Sequence, residues 1–147
     1  MNKQEIISQS VENTFEIGKK IGQALEGGMI VCLTGNLGSG KTTLIKGIAA
    51  GAGASNPQKN VNSPTFVLVN EYEGRFHIFH IDAYRINTIE EFRLIGFEDF
   101  IGPESVVLIE WADKVEKALE GFEKVHIEMS HNGPSSRIVK ITGLSTI

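Results

Sequence analysis

An apolar run, Met29–Leu33, passes through Thr34 directly into Gly35-Asn36-Leu37-Gly38-Ser39-Gly40-Lys41-Thr42-Thr43. No other segment limits the possible folds as much. The run is strand-sized, and Thr42 to Ala50 reads as a helix closed by Gly51 and Gly53. Strand, glycine loop and helix, with glycine, four residues and Gly-Lys-Thr, make the P-loop pattern. Its chemistry explains its composition. Small residues let backbone N–H groups curl around phosphates, and the following helix start favours anions. Lys41 can reach the β- and γ-phosphates, the Thr42 hydroxyl can ligate Mg²⁺, and Thr43 lies toward the α-phosphate. The plain alternative is a glycine turn that only joins strand to helix. The strand signal before the full pattern and the helix signal after it favour the phosphate loop.

The rest of the chain supplies the layers such a loop needs. Val11, Phe15, Ile17, Ile21 and Leu25 recur at near-helical spacing behind a Ser10 cap, and Gly27-Gly28 ends that helix. Residues 54–64 read as a loop. Phe66–Tyr72 and Phe76–Ile81, on either side of Glu73-Gly74-Arg75, predict a β-hairpin. Thr88 with Glu91 fits a capping box for a short helix to about Ile95. Val106–Ile109 predicts a buried strand, and Ala112–Leu119 a short helix. Lys124–Met129 and Arg137–Thr142 predict a strand pair turning at His131-Asn132-Gly133-Pro134. No element is predicted in the polar stretch Met1 to Ser10. The expected fold is α/β, a P-loop NTPase-like three-layer α/β/α arrangement with a mixed, partly parallel sheet. At 147 residues the chain is expected to be a single domain, 1–147.

A P-loop enzyme also needs a carboxylate near magnesium, at the end of an apolar strand. Two strands end that way: Val106–Ile109 in Glu110, and His77–Ile81 in Asp82. Glu110 follows the purer apolar run and is assigned to the metal side, directly or through water. Asp82 is then available to orient or deprotonate an attacking water. Trp111 is either core or an aromatic beside the nucleotide. Thr65, in Ser63-Pro64-Thr65, stands where a switch loop would follow the first P-loop helix. His77 and His80, at i and i+3 on a strand, fall on opposite faces and are read as structural. Cys32 is read as core. The Asn/Thr-Lys-x-Asp segment used for guanine is absent, which favours ATP over GTP.

Composition narrows the partners. Fourteen basic and eighteen acidic residues leave a net charge of −4, so a broad basic surface for nucleic acid is not available, and any RNA contact is expected to be indirect or made through a partner. No apolar run approaches the length that spans a membrane. One cysteine excludes an internal disulfide, and a cytoplasmic location is expected.

Taken together, the P-loop, Ser63-Pro64-Thr65-Phe66, His80-Ile81-Asp82-Ala83-Tyr84-Arg85, Gly96-Phe97-Glu98-Asp99-Phe100 and Glu110-Trp111 resemble the TsaE (YjeE) family. These are small bacterial ATPases of tRNA N6-threonylcarbamoyladenosine synthesis. The resemblance runs from about Thr14 to Trp111. It implies that Asp82, Glu110 and Trp111 serve ATP hydrolysis or nucleotide binding, that Thr65 is switch-like, and that Thr14 lies near the adenine. It also implies Mg²⁺ with ATP, and TsaD and TsaB as partners that modify adenosine 37 of tRNAs reading codons that begin with A. The chain departs from the family at Asn36, commonly acidic, and at Phe100, usually Tyr. A small-molecule P-loop kinase and a non-hydrolysing nucleotide-dependent module are the alternatives. The kinase is disfavoured because no arginine-rich lid segment is present.

Overall fold

The structure is a computed structural model that describes residues 3–36, 38–54 and 69–147. Seven strands, β1 (Lys3–Ser8), β2 (Ile30–Gly35), β3 (Val69–Glu73), β4 (His77–Asp82), β5 (Ser105–Glu110), β6 (Val125–His131) and β7 (Arg137–Thr142), form one sheet. Its order is β1-β7-β6-β2-β5-β4-β3. The centre is parallel: β2 pairs β5 and β6, and β4 pairs β5. The edges are antiparallel, through β3–β4, β6–β7 and β1–β7. The mixed, partly parallel sheet with its hairpin is as expected.

Helices cover both faces. On one lie α1 (Val11–Ala24) and α2 (Lys41–Gly51), whose Ile17, Ile21, Leu44, Ile45 and Ile48 pack on Val31, Leu33, Leu108 and Ile127. On the other lie α3 (Ile89–Ile95) and 3-10 turns at Phe97–Phe100 and Ala112–Leu119, around Cys32, Ile81, Phe92, Phe97 and Ile109. Ser10 caps α1, its side chain accepting from Asn13 N–H, and Thr88 caps α3 by accepting from Glu91 N–H at 3.1 Å.

Two local results differ from the sequence reading. Lys3–Ser8 is an edge strand: KQEIIS carries too little apolar alternation to announce itself, and its register comes from β7 (Ile6 opposite Val139). Ala112–Leu119 is a pair of 3-10 turns meeting at Val115, not an α-helix. Glycines within the first two helices let their backbones pack closely. A Cβ on Gly47 would sit 2.2 Å from Phe15 O of α1, and one on Gly18 of α1 would sit 2.4 Å from Leu44 O. The two helix backbones therefore touch, and this seam fixes where α2 begins relative to the sheet.

Candidate active site

The glycine loop is shaped by what lies behind it. Gly35 ends β2 with φ 147°, and a Cβ there would lie 2.6 Å from Met129 O on β6. The loop turns back on itself through Ser39 N–H to Asn36 O at 3.1 Å. From β7, Arg137 donates through Nε to Ser39 O at 3.1 Å and through Nη2 to Gly38 O at 3.4 Å. Because a trans peptide sets N–H opposite C=O, drawing the Ser39 carbonyl to Arg137 aims the Gly40 N–H away from it. Gly40 then caps α2 in the left-handed region, and the first helical bond is Leu44 N–H to Gly40 O at 3.1 Å. The side chain of Ser39 is buried, and its Oγ has no partner among the described residues.

Register brings the carboxylates to this loop. Glu110 is paired with Leu33 on β2 and with Asp82 on β4. The two acidic residues predicted from strand ends are therefore neighbours, one strand apart. Their surroundings differ. Glu110 is 5% exposed and bonded to His80, Nε2 to Oε1 at 2.8 Å. Asp82 is half-buried and accepts the Tyr84 N–H at 3.0 Å. Burial pushes the Asp82 carboxyl above its ordinary range; the Tyr84 N–H opposes this and the Glu110 charge adds to it.

Lys41 is 7% exposed. Its ammonium donates to Gly35 O and to Asn36 O, the latter at 3.0 Å, and lies 4.0 Å from the centre of the Trp111 ring. Burial pulls its pKa down, while Glu110, Asp113 and Asp82 hold it up. Trp111 reaches the lysine through a backbone that is unusual for a non-glycine residue. Its φ is 58°, held by Trp111 N–H to Leu33 O and Lys114 N–H to Trp111 O, both at 3.0 Å. The indole also packs on Tyr84, ring centres 4.9 Å apart. It thus lies against the lysine at the strand ends, not remote from the loop.

A second group lies on the α1 side. Thr14, Gly40, Thr43, Pro134, Ser135 and Arg137 wall a cleft of about 310 Å³. Thr14 is buried, its hydroxyl 2.5 Å from Ser8 Oγ. It contributes a wall to the cleft while its hydroxyl is engaged with β1. Leu37 and Thr65, also expected at the site, lie outside the described residues.

The family model for threonylcarbamoyl adenosine biosynthesis protein TsaE matches residues 8–139. The chain belongs to the TsaE family. Proteins named tRNA threonylcarbamoyladenosine biosynthesis protein TsaE are similar to it. That of Treponema pallidum is 38% identical over 79% of this chain and 84% of its own length. That of Aquifex aeolicus is 40% identical over 75% and 77%. The crystal structure of YdiB from Bacillus subtilis superposes with a TM-score of 0.74 at 28% identity, covering 98% of this chain and 87% of that one.

Two residues of this TsaE chain stand at the site without having been singled out for it. Arg137 sits on a strand nearly a hundred residues beyond the loop it braces, and no local motif marks it. His80 was read as structural. It is buried as that reading requires, but its partner is the site carboxylate Glu110. The available signal was the spacing: His80 and Asp82, two apart, share a strand face.

Proposed function

We propose that this TsaE chain binds and hydrolyses Mg·ATP, and that it does so in support of a TsaB–TsaD complex forming N6-threonylcarbamoyladenosine on tRNA. The observation that carries the reading is the register that sets Asp82 and Glu110 side by side at the end of β2, where Lys41 begins α2. The part played in tRNA threonylcarbamoyladenosine biosynthesis rests on family membership and on the names of the relatives.

The residues present fit the ligand. An anion beside Ser39 would satisfy its orphaned buried hydroxyl, and the Lys41 ammonium, now solvated by loop carbonyls, would gain phosphate oxygens. Among the described residues no cluster of three His, Cys, Asp or Glu could hold a metal alone. That suits magnesium, which is usually held by one or two protein groups together with phosphate oxygens. Thr42 and Glu110 would be those groups. Bound magnesium neutralises charge on the β- and γ-phosphates. Lys41 and the glycine-loop amides orient the phosphates. Asp82, whose carboxyl is lifted by burial, would orient or deprotonate a water. Trp111 shields the lysine on its ring side. Thr14 and Thr43 border the cleft that would take the nucleoside, and Thr65 is assigned the switch role.

Turnover by the isolated chain is expected to be slow. Arg137 and Arg75 are spent on backbone carbonyls, Arg93 faces Glu90 at 3.8 Å, and Arg85, whose charge acts on Asp82, is exposed, so Lys41 is the buried cation gathered with the carboxylates. A missing transition-state cation supplied by a partner is worth ~10³–10⁵ in rate where it has been measured. The reading places the work in the cytoplasm with tRNA contacted through the partners; no helix among the described residues is long and apolar enough to cross a membrane. The test is phosphate release from ATP with and without purified TsaB–TsaD. Stimulation by the complex is the expected result, and fast turnover alone with phosphate passed to a small metabolite would overturn it.

A further inference from the structure

We propose that His80 is a positioning residue for Glu110: its buried imidazole holds one oxygen of that carboxylate and so sets how the other meets magnesium. The inference rests on the reading of Glu110 as the metal-side carboxylate. It starts from the sheet. His80 and Asp82 lie on one face of β4, two residues apart, and the parallel pairing sets His80 opposite Leu108 and Asp82 opposite Glu110. His80 therefore approaches Glu110 diagonally, one pleat further from the strand ends, a separation that long side chains can bridge.

Both side chains are removed from solvent, His80 at 1% exposure and Glu110 at 5%. Nε2 lies 2.8 Å from Oε1, a charge-assisted hydrogen-bond distance, with the ring nitrogen donating. The opposite nitrogen, Nδ1, is buried and has no partner among the described residues. A phenyl ring would fill such a space without an unpaired polar atom, so packing alone does not account for an imidazole here. What the imidazole adds is a donor to Glu110. Without it, a buried carboxylate in register with a second one would be free to swing. Partners of this kind, one bond removed from the metal, typically change metal affinity 10–100-fold when lost.

The experiment is calorimetric titration with ATP, in the presence and absence of Mg²⁺, of the parent chain and of H80F, H80Q, H80N and E110Q. The magnesium-dependent gain in ATP affinity is expected to fall ~10-fold or more in H80F, with the magnesium-free affinity unchanged. In H80Q, whose amide nitrogen reaches as far as Nε2, it should return to within about threefold of the parent. Adding H80F to E110Q should cost nothing further, since the two act as one unit. Should H80F fail to fold, H80Q against H80N reads the same contrast, because the shorter amide cannot reach Glu110. Equal loss with and without magnesium, no loss at all, or additivity with E110Q would overturn the role of His80. An E110Q variant that keeps the full magnesium gain would instead remove the reading of Glu110, and the proposal with it.

Discussion

Strands β4, β5 and β2 and strands β6, β7 and β1 are two sides of one sheet, yet they serve the site in opposite ways. The parallel centre is buried on both faces; all six residues of β5 are buried. At its carboxyl ends Asp82, Glu110 and Gly35 emerge together. The second side, joined to β2 by the parallel strand β6, alternates. Val125, Ile127 and Met129 face the core while His126 and Glu128 face solvent. It brings no acid or nucleophile to the strand-end group. Its contributions are Met129 O, which demands glycine at position 35, and Arg137, which draws out the carbonyls of the loop. Parallel pairing aligns like ends, so Asp82 of β4, Glu110 of β5 and the Met129 carbonyl of β6 meet the end of β2; β7, antiparallel to β6, begins at that same end and supplies the Arg137 brace.

This contrast can be broken most directly at Lys41. K41A should weaken ATP binding at least roughly 100-fold, since it leaves the phosphates and carboxylates without the buried cation between them. It should also abolish any ATP-dependent change in Trp111 fluorescence, because the indole reports through its contact with the lysine ammonium. Calorimetry and emission spectra check both. Unchanged affinity would mean that the parallel centre is not the ligand site at all.

The two central carboxylates should separate next. D82A is expected to lower turnover ~10²–10³-fold while ATP affinity stays within a few-fold. E110A should weaken the magnesium dependence of binding. Titration and phosphate release on the two variants decide the matter, and the reverse pattern would exchange their roles.

Arg137 tests the bracing side. R137A should weaken ATP binding about tenfold, the scale of one or two hydrogen bonds from a charged donor. R137K should not restore it, because an ammonium cannot span two carbonyls as the guanidinium fork does. If R137A matches the loss of K41A, the division between functional centre and supporting edge fails.

The smallest effect concerns stability. Burial lifts the Asp82 carboxyl, so the folded chain holds that proton more tightly than the unfolded chain does. The group favours folding below its unfolded pKa, and that contribution is lost as pH rises through the elevated folded value. D82N should therefore melt slightly above the parent at pH 7 without nucleotide, the difference shrinking as pH falls through that range. Thermal unfolding across pH checks it. A D82N chain less stable at pH 7 would show that Asp82 is held by its neighbours rather than strained among them.

Much of this architecture was legible from residue order because its causes are local. The glycine loop, the Ser10 and Thr88 caps, the apolar run ending in Glu110 and the hairpin turn each depend on neighbours a few residues away. Even the convergence of Asp82 and Glu110 was approachable, since parallel strands beside a phosphate loop present their carboxyl ends together. Other features were decided only in three dimensions. Edge strand β1 exists because β7 offers it a register, not because KQEIIS prefers extension. Gly47 and Gly18 are required by a helix seam that joins segments thirty residues apart. Trp111 meets Lys41 through a left-handed backbone fixed by hydrogen bonds to Leu33 and Lys114. His80 finds Glu110 because strand order sets β4 beside β5, and Arg137 finds Ser39 across a loop that no local spacing marks. Residue order determines what a segment can do by itself; which buried polar groups meet depends on strand order and register, and these are set by the packing of the whole chain.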